Sequence, residues 1–310
     1  MSSLVILGAT GFLGKVLIAQ KNIPSSIKAV ARKIPSDADL HSERITWYDV
    51  DLLSPRALDK VLEKDDIVIN TVYINTHSEV DNLRLINNII DACVRNEVKR
   101  LIHCSTAVVV GTAKEPRIDE TVTCVPCTQY EKVKFAIEQQ VLNAVGKGFE
   151  IAILRPTAMV GPHGKNLLKL ANSLINGNQL VNYLRASLFG RRRMHLVSVR
   201  NVAVAIVHLA LLDHLLSGSI YYVSSDDDPE NNYLGVEKIL LETLGLGARK
   251  IPILPVPLLF LSILLKIKGR SESNLARTYD SRKLLATHFV PIDSLYDAVS
   301  EFAKSIRNLL

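Results

Sequence analysis

The chain has 310 residues, of which 48% are hydrophobic, 22% charged and 5% aromatic, and its formal net charge is +6. That length and apolar content can bury a sizeable core in one elaborated domain or two lobes, which excludes a disordered chain. The basic residues are scattered and the aromatics too few for a base-stacking platform, so the positive balance does not point to nucleic acid as a partner.

Met1-Ser2-Ser3 leads directly into an apolar run with no secretory signal, which predicts a cytoplasmic protein. The first predicted element is that run, Leu4-Val5-Ile6-Leu7, of the kind a buried parallel strand presents. Gly8-Ala9-Thr10-Gly11-Phe12-Leu13-Gly14 follows, and Val16, Leu17 and Ile18 continue a helix behind it. Strand, glycine loop and helix in succession form a cradle for a dinucleotide pyrophosphate. Gly8 permits the tight turn, Gly11 lets the backbone approach the phosphates, and Gly14 lets the helix pack closely on the strand. After the second predicted strand, Ile27–Ala31, stand Arg32 and Lys33, with no carboxylate before Asp37. An acidic residue here would accept bonds from an unphosphorylated ribose, whereas an arginine pairs with a 2′-phosphate. The position therefore favours NADP(H), with NAD(H) as the alternative. A third strand, Ile45–Tyr48, brings Asp51 and Leu52 to where a nucleotide's adenine edge would lie, although a solvated turn accounts for Asp51 equally well.

Further along, a helix is expected at Pro55–Glu63, a strand at Ile67–Asn70, a helix at Val80–Asn96 and a strand at Arg100–Cys104. A helix at Tyr130–Gly146 and a strand at Glu150–Leu154 complete the alternation. Such alternation yields an α/β fold, a Rossmann-type doubly wound parallel sheet with helices on both faces. His103-Cys104-Ser105-Thr106 closes one strand with two hydroxyls able to bind a reacting oxygen. Tyr130 and Lys134 stand four apart, so both side chains lie on one helix face and can reach one hydroxyl. A lysine ammonium and an oxidised nicotinamide close by would favour the phenolate and lower its pKa, making Tyr130 a general acid or base. Cys124 and Cys127 lack a second pair or a histidine at zinc spacing, so no metal site is expected.

With these residues in place, the chain resembles the extended short-chain dehydrogenase/reductase superfamily, in particular the NAD(P)-dependent epimerase/dehydratase family acting on nucleotide sugars. The resemblance runs from the Gly8–Gly14 loop through Asp51-Leu52, Asn70-Thr71, Ser105/Thr106 up to Gly111, and Tyr130/Lys134. It continues through Leu154-Arg155-Pro156 and Val160-Gly161-Pro162 to Asp280-Ser281-Arg282-Lys283-Leu284. It implies that Gly8, Thr10, Gly11, Phe12, Leu13, Gly14, Arg32, Asp51, Leu52, Asn70, Lys134 and Pro156 bind the cofactor. Tyr130 would exchange a proton with a sugar oxygen, with Thr106 or Ser105 as the hydroxyl donor.

The resemblance also implies a cofactor domain over 1–160 and a smaller substrate lobe over 161–310, with a strand near 220–223 returning to the sheet. One of Arg191, Arg192 and Arg193 would bind a substrate diphosphate, and Asn166 would cap the next helix or touch the sugar. The expected activity is a nucleoside-diphosphate-sugar epimerase or ketosugar reductase, probed against polysaccharide-building sugars, in a homodimer formed through the two long helices. The family departs here at Val110, where tyrosine is common, and at Asn201, where aspartate is. The apolar segment 254–268 resembles a region of the 3β-hydroxysteroid dehydrogenase branch, which makes an apolar alcohol or ketone the alternative substrate. Its helix would be too short to cross a membrane, for which ~20 residues are needed, though it suits an interfacial position.

Overall fold

The computed structural model describes residues 2–20, 26–36, 38, 42–75, 78–247, 249, 252–254 and 277–307. Its centre is a seven-stranded sheet built from β1 (Leu4–Leu7), β2 (Ile27–Ala31), β3 (Ile45–Asp49), β4 (Ile67–Asn70), β5 (Arg100–Cys104), β7 (Glu150–Pro156) and β10 (Ser219–Val223). The spatial order is β10-β7-β5-β4-β1-β2-β3. β1 pairs in parallel with both β2 and β4, β2 with β3, β4 with β5 and β5 with β7. Every residue of β1, β2, β4 and β5 is buried, which explains why these strands read as apolar runs rather than alternating ones. The order reverses between β1 and β4, and in doubly wound sheets such a reversal opens a crevice at the carboxyl ends of the strands.

The helices that cross between these strands are α1 (Phe12–Ile18), α2 (Glu79–Arg95) and α3 (Gln129–Leu142). Ser78 caps α2 by accepting from the Asp81 N–H, and Asn96 ends it. α3 stops four residues short of its predicted end at Gly146, with Asn143 as its C-cap. The helix expected over 55–63 is a single 3-10 turn, Ala57–Lys60, because Arg56 before it takes a left-handed φ of 59° that an α-helix does not admit. Leu58, Val61 and Leu62 are nevertheless buried, so the apolar spacing that suggested the helix serves the core instead.

Two compact units divide the chain, and they interleave rather than splitting at residue 160. The first comprises Met1–Val109, Pro126–Arg155 and Ala203–Tyr221. Its core gathers Val5, Leu7, Val68, Leu85, Ile86, Ile89, Val133, Ile137 and Ile153 between the sheet and α2 and α3. At the amino end of the strands Lys28 Nζ lies 2.9 Å from Asp66 Oδ2. Across β5 and β7, the fully buried Arg100 pairs with Glu150 at 2.6 Å. Arg100 also donates to the carbonyls of Leu209 and Ala210, each at 2.8 Å, Leu212 at 2.9 Å and His214 at 3.3 Å. These carbonyls end α6 (Val199–Leu211), so one guanidinium satisfies a helix terminus that has no intrahelical donors left. The strand expected near 220–223 is present as β10, on the outer edge beside β7.

The second unit comprises Val110–Val125, Pro156–Val202 and Tyr222–Leu310. It carries β6 (Arg117–Ile118), β8 (Ala158–Val160), α4 (Leu168–Asn176), α5 (Gln179–Phe189), β9 (Leu196–Ser198), α7 (Tyr233–Leu244), β11 (Thr278–Tyr279), α8 (Arg282–Leu285) and α9 (Leu295–Arg307). Its core packs Val160, Leu196, Val236, Leu240, Val299 and Phe302. Asn201 receives the backbone N–H groups of Ile292 and Asp293 at 2.8 and 2.9 Å and donates to the Asp293 carbonyl at 2.8 Å. Among the described residues no helix is long and apolar enough to cross a membrane, and residues 255–268 of the apolar segment lie outside them.

Candidate active site

A cleft of about 410 Å³ lies within the first unit at the carboxyl ends of β1 to β4. Gly8, Thr10 and Gly11 line it from the loop after β1, Arg32 from the end of β2, Asp51 and Leu52 from the end of β3, and residues 71–75 from the chain leaving β4. The loop is shaped by steric necessity. Gly8 has a φ of +85°, and a Cβ there would stand 2.8 Å from Thr71 Oγ1 and 2.9 Å from the Val72 side chain. A Cβ on Gly14 would meet the Gly8 carbonyl oxygen at 2.1 Å, so α1 approaches β1 as closely as it does only without a side chain. Gly11 is the N-cap of α1 and brings no side chain to the first-turn N–H groups. This cradle, its volume and the cation of Arg32 fit a bound dinucleotide. Asp51 accepts the Leu53 N–H at 3.0 Å in a local turn while lining the cleft.

Six of the expected cofactor residues thus line the cleft. Phe12, Leu13, Gly14, Asn70, Lys134 and Pro156 do not. Gly14 and Leu13 act by packing, and Asn70 by bonding. The buried Asn70 amide stands 3.1 Å from His103 Nδ1, while its oxygen accepts the Val72 N–H at 3.0 Å and so shapes the cleft wall.

The reacting groups expected from sequence gather beyond the end of β5. α3 begins with a full capping box: Thr128 accepts from the Glu131 N–H, and the Glu131 carboxylate accepts from the N–H groups of Thr128 at 3.1 Å and Cys127 at 2.7 Å. Tyr130 therefore sits in a pinned first turn. One turn on, the buried Lys134 donates from Nζ to the Cys104 carbonyl at 3.3 Å. A further turn along, Glu138 forms a wholly buried pair with Arg155 of β7, with contacts of 2.6, 3.1 and 3.2 Å, which fixes α3 against the sheet. Between pair and cleft lies Tyr73. Its ring is edge-to-face with Tyr130, centroids 5.3 Å apart, and 5.1 Å from Lys134 Nζ.

Electrostatics here differ from the sequence expectation. Desolvation, followed by the neighbouring Tyr73 and Cys104, pushes the Tyr130 phenol above its usual value, and the Thr106 side chain only partly offsets this. Lys134 does not lower it, since burial drives Lys134 itself below the usual lysine value despite Cys104 and Glu138 nearby. Ser105 is buried, its N–H donating to the Leu154 carbonyl at 2.8 Å and its Oγ without a hydrogen-bond partner. His103, buried beside Lys134, is held well below the usual histidine value by burial first and by that charge second, so it is neutral. Tyr73 and the Glu138–Arg155 pair carry no signature that sequence reasoning had used; Glu138 alone was readable, as the next residue along the Tyr130/Lys134 face.

In the second unit, Arg193 donates to the carbonyls of Asp226 at 2.7 Å and Asp228 at 3.1 Å, and Arg191 is exposed. Asn166 is not a helix cap: α4 starts from Leu167, and the Asn166 amide instead donates to the Met159 carbonyl at 2.7 Å. His163 occupies a loop with a φ of 62°.

The sequence model of the NAD dependent epimerase/dehydratase family matches residues 4–223. Among curated relatives, the decarboxylating sterol-4-alpha-carboxylate 3-dehydrogenase of Schizosaccharomyces pombe is 28% identical over 247 residues, covering 73% of this chain and 70% of that enzyme. The D-erythronate dehydrogenase of Haemophilus influenzae is 27% identical over 188 residues, 56% of this chain and 59% of that enzyme, so the chain matches only part of these relatives' length. Among solved structures, the UDP-glucuronic acid 4-epimerase of Bacillus cereus, in complex with NAD, shares the fold with a TM-score of 0.76 at 17% identity, covering 99% of this chain and 97% of that one. The chain belongs to the NAD-dependent epimerase/dehydratase family, enzymes of the extended short-chain dehydrogenase/reductase type.

Proposed function

We propose that the protein is an NAD(P)-dependent nucleoside-diphosphate-sugar epimerase or ketosugar reductase in which Tyr130 and Lys134 are the reacting pair. The observation that carries this reading is the placement of Tyr130 one helical turn from the buried Lys134, with the Tyr73 ring between them and the cleft. A bound nicotinamide dinucleotide supplies the hydride acceptor or donor. Gly8, Thr10 and Gly11 hold its pyrophosphate, and Arg32 pairs with a 2′-phosphate, making NADP(H) the preferred form. Tyr130 takes the proton from, or returns it to, the substrate hydroxyl, while Thr106 or Ser105 donates to the oxygen on which charge develops. Lys134 binds the cofactor ribose, and an oxidised nicotinamide bound beside the pair would favour the phenolate. The diphosphate of the substrate is assigned to one of Arg191, Arg192 and Arg193. A cytoplasmic homodimer completes the reading.

A second reading, oxidation or reduction of a sterol-like or other apolar alcohol, is favoured by one specific observation, the match to the fission-yeast sterol dehydrogenase. Proton NMR of UDP-, GDP- and dTDP-sugars incubated with the purified protein and sub-stoichiometric NADP or NAD tests the choice. Conversion of a sugar to its epimer beyond the cofactor present is the expected result for an epimerase. Conversion of a ketosugar in step with NADPH consumption marks the reductase, and turnover of sterol-like ketones alone overturns the sugar assignment.

A further inference from the structure

Tyr73 lies where the cleft and the reacting pair meet: it lines the cleft, sets its ring edge-to-face with Tyr130 at 86°, and stands 5.1 Å from Lys134 Nζ. We propose that Tyr73 is a positioning residue whose π face holds the Lys134 ammonium in place and in its charged form at the inner end of the cleft. This rests on the reading of Tyr130 and Lys134 as the reacting pair.

An ammonium can donate three hydrogen bonds, and Lys134, 4% exposed, makes one among the described residues, to the Cys104 carbonyl. Burial of a cation so sparsely bonded favours its neutral form. The groups facing it are few. His103 and Cys104 come from β5; the first is neutral, and burial pushes the second up to about 11, so neither is an anion at neutral pH. Glu138, on α3, is already engaged by Arg155 through three contacts, which divides its attraction between two cations. Tyr130 is itself held in the phenol form. The Tyr73 ring supplies what remains: a quadrupole whose negative face attracts a cation most strongly where water is excluded. Desolvation raises the Tyr73 hydroxyl above its ordinary value, so the ring is neutral at neutral pH. The same ring stands edge-to-face with Tyr130, and one aromatic side chain thereby contacts two groups on adjacent turns of α3.

The test needs no substrate. The full chain is labelled with 13C-lysine, the Lys134 Cε signal is assigned by its loss in Lys134→Arg, and its titration is followed in three variants. Tyr73→Phe keeps the π face and titrates as the wild type. Tyr73→Leu keeps bulk without the face, and its Lys134 titrates about one pH unit lower. A trifluorinated phenylalanine at the same position keeps the shape but empties the ring of electron density, and it also lowers the value. Identical Lys134 titration with phenylalanine and its trifluorinated form overturns the proposal, and this pair decides the matter even if the leucine variant does not fold. Failure of the reacting-pair reading would show elsewhere, as unimpaired turnover in Tyr130→Phe, and is therefore distinguishable.

Discussion

Two lysines are buried in the first unit at opposite ends of the parallel sheet, and their surroundings are opposite in kind. Lys28, at the amino end, lies 2.9 Å from both Asp66 and Glu63 and donates to the Val61 carbonyl at 2.9 Å. Asp66 is in turn bonded by the N–H groups of Ser3 and Glu63, each at 3.0 Å. Burial alone would lower the Lys28 ammonium, but the bonds to Asp66 and Glu63 outweigh it and leave Lys28 above its ordinary value. Lys134, at the carboxyl end, has one carbonyl, one ring and a shared carboxylate, and there burial prevails. Where the sheet requires only cohesion, a buried charge is answered by charge. At the proposed reacting pair it is left partly unanswered, at a cost in stability that a functional site tolerates.

The contrast can be broken or sharpened by mutation. The largest effect is on rate: Tyr130→Phe removes the proton-transfer group while keeping the ring against Tyr73, and turnover of the substrate found in the sugar panel should fall by about 10²–10⁴ with cofactor affinity nearly unchanged. Undiminished turnover would sink the assignment. Next comes stability. Asp66→Ala leaves the Lys28 ammonium buried against a lost partner and should cost about 3–5 kcal/mol in chemical denaturation, whereas Lys134→Met should be neutral or stabilising although inactive. Equal losses at the two positions would erase the distinction. Arg32, an exposed cation beside the cleft, tests a charge kept for a ligand. Its replacement in Arg32→Asp should move the NADP/NAD affinity ratio toward NAD by roughly 10–100-fold, the worth of one charge-assisted bond, and an unchanged ratio would remove Arg32 from phosphate recognition.

The smallest effect is on pH dependence. Lys28, raised in the folded state, contributes stability that is complete below its unfolded value of 10.5 and is lost as pH climbs through the higher folded one. Lys134, lowered in the folded state, does the reverse, and stability rises with pH between its folded value and 10.5. Removing that rise in Lys134→Met should make denaturation midpoints fall more steeply with pH on the approach to 10.5. Parallel curves for the variant and the wild type would contradict the shift.

What could be read from the sequence was whatever a local rule enforces. Gly14 is dictated by contacts within six residues and Gly8 by the positive φ of its own turn, the strands by apolar runs, and Tyr130/Lys134 by the geometry of one helix face. What escaped depends on partners far apart in the chain. Tyr73 sits in an apolar stretch, Val72-Tyr73-Ile74, that has no spacing rule to distinguish a ring facing a cation from one filling a core. The helix expected at 55–63 had the right apolar residues, but the left-handed backbone at Arg56 is set by the route from β3 into the core rather than by propensity. The raised Tyr130 pKa of the chain alone escaped sequence reading because adjacency in sequence says nothing of desolvation, which is a property of everything packed around the hydroxyl.

The reach of Arg100 bears on how the molecule is made. Its guanidinium needs acceptors at residues 209–214, and β7 needs β10 at 219–223 to cease being an edge, although both belong to the unit that opens the chain. During synthesis, the cleft can form its local turns early, but a nascent chain that has emerged only to residue 160 carries Arg100 with four of its five partner residues missing and a strand open to pairing with other chains. Completion of the sheet waits until the segment through Val223 has left the ribosome, so folding of the binding unit is late, post-dates the reacting helix, and is exposed in the interval to whatever holds nascent edges apart.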